Sequence, residues 1–242
     1  MSTIKFYKGI LSVLVLALML ANLPALAQRQ HIKGEGELVS QNRNASGFKG
    51  INVSGGFAVE LTQGNNEGVR IEAQENLLNS IQTEVKNGVL HIYTSDNISS
   101  TKGMKAYITI RELNSVSISG GVKVVGNSTF KANSFDLDMS GGSKVQLAID
   151  TKKLKADMSG ASKVELSGVA DEVRMDMSGA SKVDASELES KRVHVEASGA
   201  SNVKVFARNE LTVNASGATK VAYKGDPSIS SNVSAAAKIS KM

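Results

Sequence analysis

Four acidic residues, Asp138, Asp157, Asp176 and Glu196, recur at intervals of 19, 19 and 20 residues. Each stands two residues before a Ser-Gly pair. On adjacent strands such residues would stack about 5 Å apart. That spacing suits a carboxylate pair for glycoside hydrolysis, or an oxygen-rich calcium site. The competing reading is a solvated stripe. Lys155 and Arg174 lie two residues before Asp157 and Asp176, on the same strand face, and Glu165 and Asp184 follow Lys163 and Lys182. Opposite charges then offset repulsion by a few tenths of a kcal/mol per exposed pair. The stripe is the favoured reading, with calcium binding and catalysis as alternatives.

A second column is basic: Lys123, Lys144, Lys163, Lys182, Lys220 and Lys238, interrupted by Asn202. Lys144, Lys163, Lys182 and Lys220 are the candidates for gripping an acidic glycan or a lipopolysaccharide phosphate. More plainly, such lysines keep a flat strand face soluble and discourage edge pairing. His194 takes Arg174's place in its column, next to Glu196, and no second His is near in the repeat frame. No serine lies in a nucleophile-elbow context with a plausible His partner. No catalytic residue is therefore assigned, and no cofactor other than calcium is considered. The chain has no Cys, which excludes disulfides, thiolate metal sites and cysteine nucleophiles. Aromatics are 4% and Trp is absent, which disfavours an aromatic sugar cleft or a base-stacking platform.

These columns exist only if the chain repeats, and it does. Ser119-Gly120-Gly121-Val122-Lys123-Val124 opens a series, followed by copies starting at Ser140, Ser159, Ser178, Ser198 and Ser216, with a worn copy at Ser234. Between copies the apolar residues alternate: Phe135/Leu137/Met139, Leu154/Ala156/Met158, Val173/Met175/Met177, Val193/Val195/Ala197 and Leu211/Val213/Ala215. Period two means strands. A repeat near 19 residues is too short for a propeller blade and lacks a helical pattern. It fits one coil of an all-β, single-stranded β-helix or solenoid, whose apolar columns stack into a narrow core. Right-handed winding is expected, because parallel crossovers prefer that hand. Gly at the corners supplies positive φ, and Ser and Ala stack where space is short.

Residues 47–118 are less regular. Ser54-Gly55-Gly56-Phe57 reads as an early, isolated corner, and residues 75–81 as one or two helical turns. Lys86-Asn87-Gly88 reads as a hairpin turn and residues 97–103 as a polar loop. This segment is expected to cap the open end of the repeats at 119–239, and the last copy to form the other cap. Residues 28–46 read as a loose polar leader.

Residues 1–27 have the form of a secretory signal peptide: Lys5 and Lys8, an apolar run from Ile10 to Ala21, then Ala25-Leu26-Ala27. Cleavage is expected between Ala27 and Gln28. Its loss takes the formal charge from +5 to about +3, which is no nucleic-acid footprint. No second long apolar run follows, so no membrane span is expected in the exported chain. Periplasm, outer cell surface and medium are all open destinations.

The chain resembles the auto-transporter adhesin head GIN domain family of exported, mainly Bacteroidota proteins. The resemblance rests on the run from Phe48 to Val59, on Glu75-Asn76-Leu77-Leu78, on the run from Asn87 to Ile92, and on the Ser-Gly-Gly/Ala-Ser-Lys-Val copies. It covers roughly residues 48–239 and implies a right-handed β-helix-like fold with an adhesive role. The expected function is thus a non-catalytic adhesin or cell-envelope binding module for a glycan or surface protein. The alternatives are a polysaccharide-active lyase or hydrolase and a self-associating structural protein. No amphipathic β-barrel segment follows the repeats, so self-transport across an outer membrane is not expected.

Overall fold

The computed structural model describes residues 31–100 and 102–242. The signal-peptide reading, its Ala27/Gln28 cut and the first leader residues lie outside the described residues. Strands β1 (His31–Lys33) and β2 (Leu38–Arg43) come first, then β3 (Gly50–Gly55), β4 (Phe57–Gln63) and β5 (Gly68–Gln74). One 3-10 turn (Glu75–Leu77) leads to β6 (Ile81–Lys86), β7 (Val89–Thr94), β8 (Asn97–Ser99), β9 (Met104–Ile110) and β10 (Ser115–Gly120). The long strands follow: β11 (Lys123–Met139), β12 (Lys144–Gly160), β13 (Lys163–Gly179), β14 (Lys182–Gly199) and β15 (Asn202–Ala215). Short strands β16 (Lys220–Lys224), β17 (Ser228–Val233) and β18 (Lys238–Lys241) end the array.

Each long strand is one coil of a β-solenoid, and its side chains show how the coil bends. In β12, Val145, Leu147, Ile149 and Thr151 are buried, then Leu154, Ala156 and Met158. Between these runs Lys152 and Lys153 are both exposed, which breaks the period-two phase and turns the chain onto a second face. The other corner is Ser159-Gly160-Ala161-Ser162. Successive coils pair in parallel and in register, Val145 on Val164 and Leu154 on Val173, so like residues stack into columns. Burying each large column side chain contributes about 1.5–3 kcal/mol.

Backbone and serine bonds between successive coils hold the corner. Ala180 N–H donates to Gly160 O and Ala200 N–H to Gly179 O, each at 2.9 Å. Four copies carry a second serine, which is buried and donates to a glycine carbonyl one coil back, as Ser143 does to Gly120 at 2.9 Å and Ser181 to Gly160 at 3.3 Å. In the copy from Ser216 its place is taken by Thr219, which donates to Ser216 O. The first serine of the motif faces solvent.

Several expectations for the first half change. The corner at Ser54-Gly55 is not isolated: β10 pairs with β3 so that Ser119 sits on Ser54 and Gly120 on Gly55. Strands β3 and β4 form a full coil, flanked on one side by β10 and β11 and on the other by β7 and β9. The capping is done beyond it, where β6 runs antiparallel to β7 and β5 antiparallel to β9. Within the supposed leader, β2 pairs with β5 and β1 with β8, so the loop expected at 97–103 contains a strand. These strands are polar because they lie at an edge, and backbone pairing needs no apolar side chain there. The Asn-Gly hairpin is present, with Asn87 at φ 52° and Gly88 at 74°. The helical stretch is the single 3-10 turn.

Candidate functional site

A trough of about 920 Å³ runs along the stack just before the Ser-Gly corner. Its walls are two outward columns. One is Asp138, Asp157, Asp176, Glu196, Asn214 and Asn232; the other is Ser140, Ser159, Ser178, Ser198, Ser216 and Ser234. Met139, Met158 and Met177 lie between them. Strand pairing places Asp138 on Asp157, Asp157 on Asp176 and Asp176 on Glu196, one coil apart. Six coils at about 4.8 Å make a trough roughly 24 Å long.

Three of the four acids, Asp157, Asp176 and Glu196, carry their own counter-charges. Lys155 Nζ donates to Asp157 Oδ2 at 2.6 Å. Arg174 bridges two coils, donating Nε to Asp176 Oδ2 and Nη2 to Glu196 Oε1, both at 3.0 Å. His194 Nε2 lies 2.9 Å from Glu196 Oε1. His194, then Arg174, lowers the Glu196 carboxyl below the usual carboxylate range, and the Asp157 partner raises the Lys155 ammonium. The column before it alternates in sign, with Lys153, Glu172, Arg192 and Glu210 in register, and Arg192 pairs directly with Glu172. Among the described residues, no three His, Asp or Glu side chains converge as metal donors. The four acids form a ladder.

Asp138 differs from its neighbours. Partial burial, and then the Asp157 charge above it, push its carboxyl above its ordinary value of 3.8. The native state therefore holds that proton more tightly than the unfolded chain does. Its ionisation weakens the fold as pH rises from about 3.8 through the raised value. Asp138→Asn is expected to stabilise the protein at pH 7 by about half a kcal/mol, an exposed-site magnitude. The gain should vanish near pH 3, and urea midpoints at the two pH values check it.

The lysines form the second column that was expected. Lys123, Lys144, Lys163 and Lys182 stack in register, then Asn202, Lys220 and Lys238. They stand on the face that begins after the corner, and none lines the trough. Lys163 and Lys144 both reach Glu165, at 2.8 and 3.8 Å, and Lys163 draws that carboxyl's pKa down. No ion pair among the described residues involves Lys182 or Lys220. The candidate lysines and acids are therefore brought to opposite sides of one corner, not to one centre. Sequence reasoning missed the division of labour between the two serines of each copy. The chain carries no signal for it, because both serines flank the same glycine corner and each has an apolar residue two positions on, as Ser159 has Ala161 and Ser162 has Val164.

A family model described as "Putative auto-transporter adhesin, head GIN domain" matches residues 47–227. The chain belongs to this family. Among solved structures, this head GIN domain is similar to a putative adhesin from Bacteroides fragilis NCTC 9343, with TM-score 0.83 and 22% identity over 87% of this chain and 100% of that one. It is also similar to a putative lipid binding protein from Parabacteroides distasonis ATCC 8503, with TM-score 0.74 and 20% identity over 88% and 100%. A putative adhesin from Parabacteroides merdae ATCC 43184 gives 0.71 and 17% over 88% and 99%. At these identities the likeness establishes the fold. Among curated proteins, none matches. No helix among the described residues is long and apolar enough to cross a membrane.

Proposed function

We propose that this head GIN domain is an exported, non-catalytic adhesin-type module of the cell envelope. Its trough takes a polar polymer, a glycan or an extended surface-protein segment, lying along the solenoid axis. The observation that carries this is the repetition of one hydroxyl and one carboxylate or amide per coil over six coils. An extended chain of regular pitch can meet an equivalent pair at each step, and many modest hydrogen bonds add up. Because Asp157, Asp176 and Glu196 are already paired, the contacts are those of acceptors and hydroxyls, and they depend weakly on salt. Export is supported by the leader-like residues 1–27, and adhesion by the family's name.

The test is an array of neutral and acidic glycans probed with the purified protein, with and without calcium, each bound glycan being checked for cleavage. Binding without cleavage is expected, weakened at least tenfold by the double change Ser159→Arg and Ser178→Arg. Loss of binding on neutralising Lys163, Lys182 and Lys220 instead, with steep salt dependence, would move the site to the lysine face. Cleavage would overturn the proposal in favour of an enzyme. The specific observation for that second reading is the Asp138/Asp157 pair, one carboxyl raised and its neighbour one coil away. Asp138→Asn and Asp157→Asn should each abolish any such cleavage while the fold persists.

A further inference from the structure

The last coil is unfinished in a way that the first is not. The column Phe135, Leu154, Val173, Val193, Leu211 stays buried, ending with Leu211 at 0% exposure, and then Ile229 is 45% exposed. Two columns along on the same face, Ala215 at 6% is followed by Val233 at 39%, with Val213 and Ser231 between. Strand β17 pairs with β15 and β18 with β16, and among the described residues neither has a partner on its other edge. All six residues of β17 are exposed.

Natural edge strands are usually protected by charge, and β17, unlike β18 with Lys238 and Lys241, has none. On this face the inner coils carry Lys153, Glu172, Arg192 and Glu210 in one column, Lys155, Arg174 and His194 in the next, and the acids in the third. At the edge these three columns end in Ser228, Ser230 and Asn232. In these columns charge stops at His194, Glu196 and Glu210, and β17 carries none; the charges of the last coil, Lys238 and Lys241, stand on β18. An uncharged strand suits pairing with an identical strand, because a charge near the dyad lies next to its own symmetry copy, directly opposite or on the diagonal.

We propose that the C-terminal edge is a homodimer interface, in which β17 pairs antiparallel with β17 of a second copy about a dyad at Ser231. In that register Ile229 of each copy lies opposite Val233 of the other, so the two exposed apolar residues cover one another. Ser230 lies opposite Asn232. The contact is isologous and closes at two copies, and each edge satisfies the other's free backbone groups.

Sedimentation velocity on the purified protein over a hundredfold concentration range should show monomer converting to dimer and to nothing larger. Ser230→Lys, on the outward side of the edge, should weaken the dimer at least tenfold. Thr212→Lys, one coil inward in the same column, should leave it unchanged. Because the chain has no Cys, a single Ser231→Cys change gives a second readout. Cα atoms paired at the dyad lie about 5 Å apart, within reach of a disulfide. Ser231→Cys protein should oxidise to a covalent dimer, and Ser228→Cys protein should not. Monomer at every concentration with no Ser231→Cys cross-link would overturn the proposal and leave the edge to another polypeptide. Growth beyond dimers would overturn it in favour of open end-to-end stacking, and so would a dimer indifferent to Ser230→Lys.

Discussion

Gly199→Ala is expected to destabilise the protein by about 3–5 kcal/mol, or to prevent folding. Gly199 sits at φ +93°, and a Cβ there would lie 2.4 Å from the carbonyl oxygen of Gly179 in the previous coil. That oxygen cannot retreat, because it accepts the Ala200 N–H at 2.9 Å. A side chain in the left-handed region costs about 1–3 kcal/mol, and overpacking against fixed atoms a similar amount. The matched control is Gly142→Ala, where a Cβ meets nothing within 4 Å. It should change stability by less than about 0.5 kcal/mol, and the later copies already carry Ala161, Ala180 and Ala200 there. Urea denaturation of both variants at pH 7 measures the contrast. Similar losses for the two would show that the corner is not a close-packed stack.

Leu211→Ala should cost about 2–5 kcal/mol, while Ile229→Ala, the next residue in the same column, should cost less than about 1 kcal/mol in the monomer. Leu211 is closed in by coils on both sides, so deleting its side chain leaves a cavity that the register prevents from collapsing. Ile229 has a coil on one side only. The comparison should be made at low micromolar concentration and again at high concentration. A penalty for Ile229→Ala that grows with concentration is the thermodynamic mark of the proposed dimer. Equal penalties at the lowest concentration would mean that the last coil is covered within the monomer.

Much of the candidate site could be read from the chain. The positions of Asp138, Asp157, Asp176 and Glu196 within their copies put them in one column, and the pairing of Lys155 and Arg174 with that column followed from period two. What could not be read was how the two serines of a copy divide. Ser159 and Ser162 are three residues apart across a glycine corner, and only the turn decides that one lines the trough and the other bonds to Gly141 O. Nor could the sequence show that the trough and the lysine face are separate surfaces, since both flank the same short motif.

Taken alone, the sequence determined the all-β class, the coil length and the identity of the stacked columns. Those follow from local rules: side chains alternate along a strand, glycine turns the chain, and copies of equal length bury their apolar residues only in register. The tertiary structure alone decided the order of coils at the N-terminal end, where Gly50–Gln63 lies between segments that come later in the chain. It also decided the pairing of the polar strands β1, β2 and β8 and the openness of β17. Each of these is a matter of which backbone edges meet, and backbone hydrogen bonds are the same whatever the side chains, so they leave little trace in residue types.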